Sequence, residues 1–243
     1  MINATWFKSK FGNNWGDALN PLLIKKLTNK SVNFVDFDQD VPKFLCIGSI
    51  LEFSLPNTIV WGSGFLSSDR YLSYLPNKVV AVRGPLSAKI LKDKHNISVN
   101  IFGDPSYLYK DFYNPKLVKK YKLGVIPHYV DYQTVLNFKT NYKIINILDP
   151  IEKVIDEVLE CENIISSSLH GLILAHMYEI PFKWVKFSSL VSGDDFKFKD
   201  WMSSNNFNQD SLYLQNINDS IINTCFLPDL KLDLDLLKNS CPF

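Results

Sequence analysis

With 243 residues, 46% of them hydrophobic and 21% charged, the chain is long enough for one large or two small domains with real cores, and it is not a disordered composition. A formal net charge of +1 gives no electrostatic case for nucleic acid. No run reaches the roughly 18 apolar residues of a membrane span, and the opening MINATWFKSK lacks the apolar core of a signal peptide, so a cytoplasmic protein is expected. Cys46, Cys161, Cys225 and Cys241 are scattered without metal-ligand spacing and are expected to be free thiols.

Taken in chain order, GDALNPLLIKKL predicts a helix that Asp17 can cap, with Leu19, Leu22, Leu23 and Leu27 on one face. The loop after it carries Asp36, Asp38 and Asp40 in alternation, read as a solvated loop rather than a metal motif because no second ligand cluster accompanies it. Short apolar runs that end in glycine or a turn follow: KFLCIGS, TIVWGSG, KVVAVRGP and VNIFGDP. The third passes through Arg83, Gly84 and Pro85 into LSAKILKD, a strand, a tight turn and a helix with proline near its start. The stretch Lys110 to Lys122 is polar, basic and broken by proline, and reads as a linker with some helical character.

The second half repeats the rhythm, with strands expected in KLGVIPHY, YKIINILDP, ENIISSS and FKWVKF. Pro150 to Cys161 is an amphipathic helix pattern, with Asp149 as cap and Ile151, Val154, Ile155, Val158 and Leu159 on one face. One or two helices are expected between Asp200 and Ile222, and a tail that packs back or frays. Short buried strands whose C-terminal ends lead through glycine turns into helices indicate parallel sheets, whose ligands sit beyond those ends. The predicted class is therefore α/β, as two Rossmann-like parallel-sheet halves, residues 1–115 and 116–243, with a cleft between them.

The strongest candidate is His170. In NIISSSLHGLILAHMY it stands where a strand passes through Ser166, Ser167 and Ser168 into an apolar helix, with Gly171 after it. A helix start offers free N–H groups and a positive dipole end to an anion, beside an imidazole that titrates near neutrality. Among 26 basic residues only Arg70 and Arg83 are arginine. Arg83, at a strand-to-helix turn, is equally consistent with ligand binding and with a salt bridge; Arg70, in SSDRYLSYLPN, reads as an ordinary surface residue. His128 and Tyr129 follow Pro127 at a strand end, and Asp17 in GNNWGDALNP either caps its helix or faces the cleft. His176 reads as a satisfied core group and His95 as solvent-facing. No Walker loop, HExxH or GxSxG is present, and WGSGF lacks the third glycine of a dinucleotide fingerprint.

The ordered set NNWGDALNPLLIKKL, VWGSGF, VRGPLSAKIL, FGDPSYL, GVIPHYVD and IISSSLHGLILAHMYEIP, spanning roughly Gly12 to Trp184, resembles the polysaccharide pyruvyl transferase family, especially its short branch associated with exopolysaccharide and capsule ketal formation. The resemblance implies a fold similar to that of B-type glycosyltransferases. It implies phosphoenolpyruvate as co-substrate, no cofactor and no metal, and a sugar acceptor from a bacterial surface polysaccharide, free or lipid-linked at the inner membrane face. It further implies His170 as the catalytic acid and Arg83 as a donor-binding residue, in a grip shared with Ser167, Ser168 and Gly171. Some relatives carry an arginine where this chain has Ser168, so the second donor cation is expected either to be a lysine, Lys183 or Lys186, or to be replaced by serine and backbone donors. Asp17, His128 and Tyr129 are the expected acceptor-side residues. Two other functions stay open: a glycosyltransferase using a nucleotide sugar, and a noncatalytic glycan-binding or scaffold protein.

Overall fold

The computed structural model describes residues 1–8, 12, 14–138 and 141–243. In the first half, strand β1 (Ile2–Thr5) leads to helix α1 (Trp15–Thr28), followed by β2 (Val32–Phe34), β3 (Lys43–Leu45), β4 (Thr58–Trp61), β5 (Lys78–Ala81) and α2 (Pro85–His95). The second half holds β6 (Gly124–Ile126), α3 (Tyr132–Leu136), β7 (Lys143–Ile144), α4 (Ile151–Leu159), β8 (Ile164–Ser166), α5 (Leu169–Met177), β9 (Phe182–Lys186), α6 (Phe196–Ser204), β10 (Leu212–Tyr213) and α7 (Leu234–Asn239). The protein is thus α/β, built on two five-stranded sheets whose named strands all pair in parallel.

Both sheets have the same topology. The first runs β2-β1-β3-β4-β5 and the second β7-β6-β8-β9-β10, so each winds outward in two directions from its first strand. The direction reverses between β1 and β3 in one sheet and between β6 and β8 in the other. Crossovers diverge at such a point and leave a crevice beyond the strand ends. The predicted strand in VNIFGDP reduces to one parallel bridge, Phe102 to Val82, that extends the first sheet toward Asp104.

The caps differ from the predicted ones. Asn14 caps α1, its side chain accepting from Gly16 N at 3.1 Å and Asp17 N at 3.4 Å, which puts Asp17 inside the first turn. Pro150 stands at the α4 cap position, and Asp149 pairs with Lys153 at 2.6 Å instead of capping. Residues 113–120 carry no helix or strand. The acidic loop wraps Lys43, whose Nζ donates to the carbonyls of Asp36, Phe37 and Gln39.

One apolar core runs through both halves, from Ile2, Leu19 and Leu23 to Val154, Leu172 and Trp201. The chain then returns to the first half. Asp200 of α6 pairs with Arg83. Trp61 Nε1 donates to Leu237 O at 3.2 Å and to Ser240 Oγ at 3.1 Å, and the Phe243 ring packs against Phe44. Among the described residues, no helix is long and apolar enough to cross a membrane.

Candidate active site

A cavity of about 320 Å³ lies where the two reversal points face each other. Its walls are strand-end segments: Phe7 after β1, Gly48, Ser49 and Ile50 after β3, His128, Tyr129 and Val130 after β6, and Ser168, Leu169 and His170 after β8. Asn14 and Asp17 from the start of α1 complete it, with Glu52, Arg70, Ser192 and Lys197 from neighbouring loops and α6.

His170 is the second residue of α5 and is buried beside Trp15, ring centroids 6.4 Å apart. The sequence leaves room for its ring at Gly16, where a Cβ would overlap the imidazole. Nε2 points at Asp104 Oδ2, 3.6 Å away, and both atoms are buried without a hydrogen-bond partner. That spacing is longer than a hydrogen bond and closes to one with a small ring movement. Burial pushes the Asp104 carboxyl up, but the histidine beside it and the Ser106 N–H, 2.9 Å away, outweigh burial and hold it below the usual carboxylate value. Asp104 therefore stays ionised behind the ring. Asp104 is a functional candidate that sequence reasoning passed over, although FGDP marks a turn after an apolar run.

Asp17 responds in the opposite sense. Burial raises its pKa from 3.8 to about 7, against the opposing effects of His170 and an Asn14 hydrogen bond. Lys197 is 8% exposed, and burial with the nearby Arg83 charge lowers its pKa to about 8. Its ammonium donates to Ser192 O at 3.0 Å. Burial takes His128 down to about 3, helped by Lys197 and His170, so this imidazole is neutral. One small volume thus holds a permanent carboxylate, a carboxyl that titrates near neutrality, two imidazoles and a buried amine.

The predicted residues divide. His170, Ser168, Asp17, His128 and Tyr129 line the cavity together. Ser168 makes no capping hydrogen bond with its hydroxyl. Ser167 stands behind, accepting from His128 N at 2.9 Å and donating to Asp131 at 2.7 Å, so it fixes the loop that carries His128. Gly171 admits Ser166 Oγ and Ile126 to the helix backbone, a packing role. Arg83 does not line the cavity. It is 1% exposed and its guanidinium is consumed by Asp200, by Phe65 O and by Ser49 Oγ, the last at 2.7 Å. The space beside Gly84 is filled by Asp200. Arg83 reaches the cavity only through Ser49, whose hydroxyl it holds at the wall.

Lys183 lies outside the cavity and donates to Asp210 O at 2.8 Å; Lys186 pairs with Asp195 at 2.6 Å. Among the described residues the cations lining the cavity are Lys197 and Arg70, the latter half-exposed and 3.9 Å from Glu52. Arg70 is therefore a wall residue and not an ordinary surface one. No local pattern marked either: Lys197 sits in FKFKDW, and its burial comes from α6 crossing to the first half. His95 is partly buried, its Nε2 accepting from Leu72 N at 3.0 Å, and His176 is satisfied by Tyr107 and Pro228 O. Asn13 of the glycine-flanked turn lies outside the described residues. Among the described residues, no group of three or more His, Cys, Asp or Glu is placed to hold a metal ion.

A family model described as polysaccharide pyruvyl transferase matches residues 31–186. That range holds Arg70, Arg83, Asp104, His128 and the Ser167 to His170 turn, while Asp17 and Lys197 lie outside it. The uncharacterized protein L143 of Acanthamoeba polyphaga mimivirus is 33% identical over 202 residues, 78% of this chain and 70% of that one.

Proposed function

Because the chain belongs to the polysaccharide pyruvyl transferase family, and so is a transferase acting on a polysaccharide, we propose that its cleft moves the pyruvyl group of phosphoenolpyruvate onto two hydroxyls of one sugar, forming a ketal. The acceptor is a sugar of a surface polysaccharide or of its precursor, free or lipid-linked. The observation that carries this reading is the His170–Asp104 pair at the foot of a helix start, in a cavity that also holds a buried amine.

The donor is a phosphate and a carboxylate on a three-carbon frame, and needs donors for both. Lys197, Arg70, the Ser168 hydroxyl and the free N–H groups opening α5 supply them. His170 keeps its Nε2 toward the Asp104 carboxylate, which orients the ring and leaves Nδ1 to protonate the methylene carbon. Carbon 2 then becomes electrophilic. One sugar hydroxyl adds to it, the carbon–oxygen bond to phosphate breaks, and the second hydroxyl closes the ketal. The two hydroxyls give up two protons; one replaces the proton that His170 spent on the methyl group and the other leaves with phosphate. Asp17, ionised above about pH 7, is the base that receives them, and neutral His128 with Tyr129 orients the sugar.

Thermal shift separates the possible donors, since a ligand that binds only the folded state stabilises it by mass action. Phosphoenolpyruvate is expected to raise the melting temperature, and Lys197→Ala to abolish that rise. A rise with a nucleotide sugar and none with phosphoenolpyruvate would overturn the reading in favour of glycosyl transfer.

A further inference from the structure

A second cavity, of about 230 Å³, adjoins the first. Ser192 lines both, and the consecutive residues Ser167 and Ser168 stand one on each side. The new cavity lies beyond the ends of β8, β9 and β10, the position where open parallel sheets take ligands. Its dividing wall, the loop 188–195, is fixed to the first half: Asp194 accepts from Ser68 N at 3.2 Å.

The chemistry of the walls selects the occupant. Tyr213 is 60% exposed, and the buried Trp184 and Phe198, whose rings stack on each other at 4.5 Å, line the same cavity. Ser189 and Ser192 bring hydroxyls on exposed backbone. The lysine of this cavity, Lys186, is paired with Asp195 at 2.6 Å, so among the described residues the lining offers no free positive charge to a phosphate or nucleotide. An aromatic face, hydroxyls and a paired cation and carboxylate suit a neutral polyhydroxylated ring, whose C–H face packs on tyrosine while its hydroxyls both donate and accept. The volume admits one monosaccharide.

We propose that this cavity is a subsite for the sugar next to the one that is modified, so that the acceptor is recognised as at least a disaccharide. The inference rests on the transfer reading above and deepens it. Wild-type full-length chain, Tyr213→Ala and the cavity-filling Ser189→Phe are compared with a panel of neutral disaccharides of galactose, glucose and N-acetylhexosamine and with the matching methyl monosaccharides. Both positions are exposed, so the fold is expected to survive, as circular dichroism will show. Binding is read without donor, by saturation-transfer NMR, and turnover by phosphate release with phosphoenolpyruvate. At least one disaccharide is expected to bind wild type, and its transfer signal from the second sugar is expected to vanish in both variants. Its kcat/KM is expected to exceed that of the monosaccharide about tenfold, through KM, and the variants are expected to erase the advantage while leaving monosaccharide turnover unchanged. Disaccharide binding absent throughout the panel, or equal in wild type and both variants, would overturn the subsite. Binding that depends on Tyr213 with no turnover of any acceptor would leave the subsite standing and count against the transfer reading.

Discussion

Asp17 and Asp104 flank the same imidazole, and their surroundings drive their proton affinities apart, which is how one site obtains a fixed anion and a titrating base. The folded-state pKa of Asp17, about 7, lies above its ordinary 3.8, so the folded chain holds this proton more tightly than the unfolded one. Stability contributed by this group therefore falls as pH rises from about 4 to about 7, a penalty of roughly 4 kcal/mol once the carboxyl is ionised. Asp17→Asn is expected to raise the melting temperature at pH 8 relative to wild type, to leave it little changed at pH 4, and to lower turnover, as scanning calorimetry and phosphate release will show. Catalysis needs Asp17 ionised and Lys197 charged, so kcat/KM should be bell-shaped, with limbs near pH 7 and pH 8. A profile flat from pH 6 to pH 9 would contradict both assignments. Asp104→Asn keeps the shape but removes the anion facing Nε2, and is expected to cut kcat about 100-fold with KM for phosphoenolpyruvate little changed.

Helices α1 and α5 meet at their first turns, and the contact was half legible. A polar turn between an apolar strand and an apolar helix placed His170 correctly, because strand-end turns in parallel sheets are built from such residues. The seat for its ring was not legible, since Gly16 is needed only once α1 is docked on α5. This separates two expectations for Gly16→Ala. Intrinsic helix propensity favours alanine by about 1 kcal/mol, whereas the clash with the ring displaces His170. Turnover is expected to fall at least tenfold whatever the melting temperature does. Arg83 was legible as a position needing a planar fork, but its partner, Asp200 in α6, is 117 residues away and carries no local signal. Arg83→Met leaves the buried Asp200 without its cation, although Ser87 still donates to it from N and Oγ, and urea unfolding is expected to show a loss of about 3–5 kcal/mol. Arg70 and Lys197 escaped sequence reasoning for the same reason. Long-range crossings decide which cations line the cleft, and those crossings leave no trace in hydropathy.

Two sheets of identical winding, joined by one continuous core, explain the location of the cleft. Each sheet opens a crevice at its own reversal point; packing α1 against α4 and α5 sets those crevices face to face. The strand rhythm alone disclosed the parallel α/β class, but the strand order needed pairing partners that no single sequence supplies. Because the core is shared and α7 returns to Trp61, the halves are expected to melt together. Leu237→Ala, at a fully buried position, should lower a single transition by roughly 2–5 kcal/mol without splitting it, which calorimetry and tryptophan fluorescence will test together. The central claim is that this cleft is a phosphoenolpyruvate-dependent ketal-forming site worked by His170. Its most direct test is mass spectrometry of acceptor glycans, with phosphate release, for wild type and His170→Ala at pH 7.5. Wild type is expected to add one pyruvyl mass per phosphate released, and the folded variant to lose at least 100-fold in rate; equal rates in the two proteins, or no pyruvyl mass with any acceptor, would contradict the account.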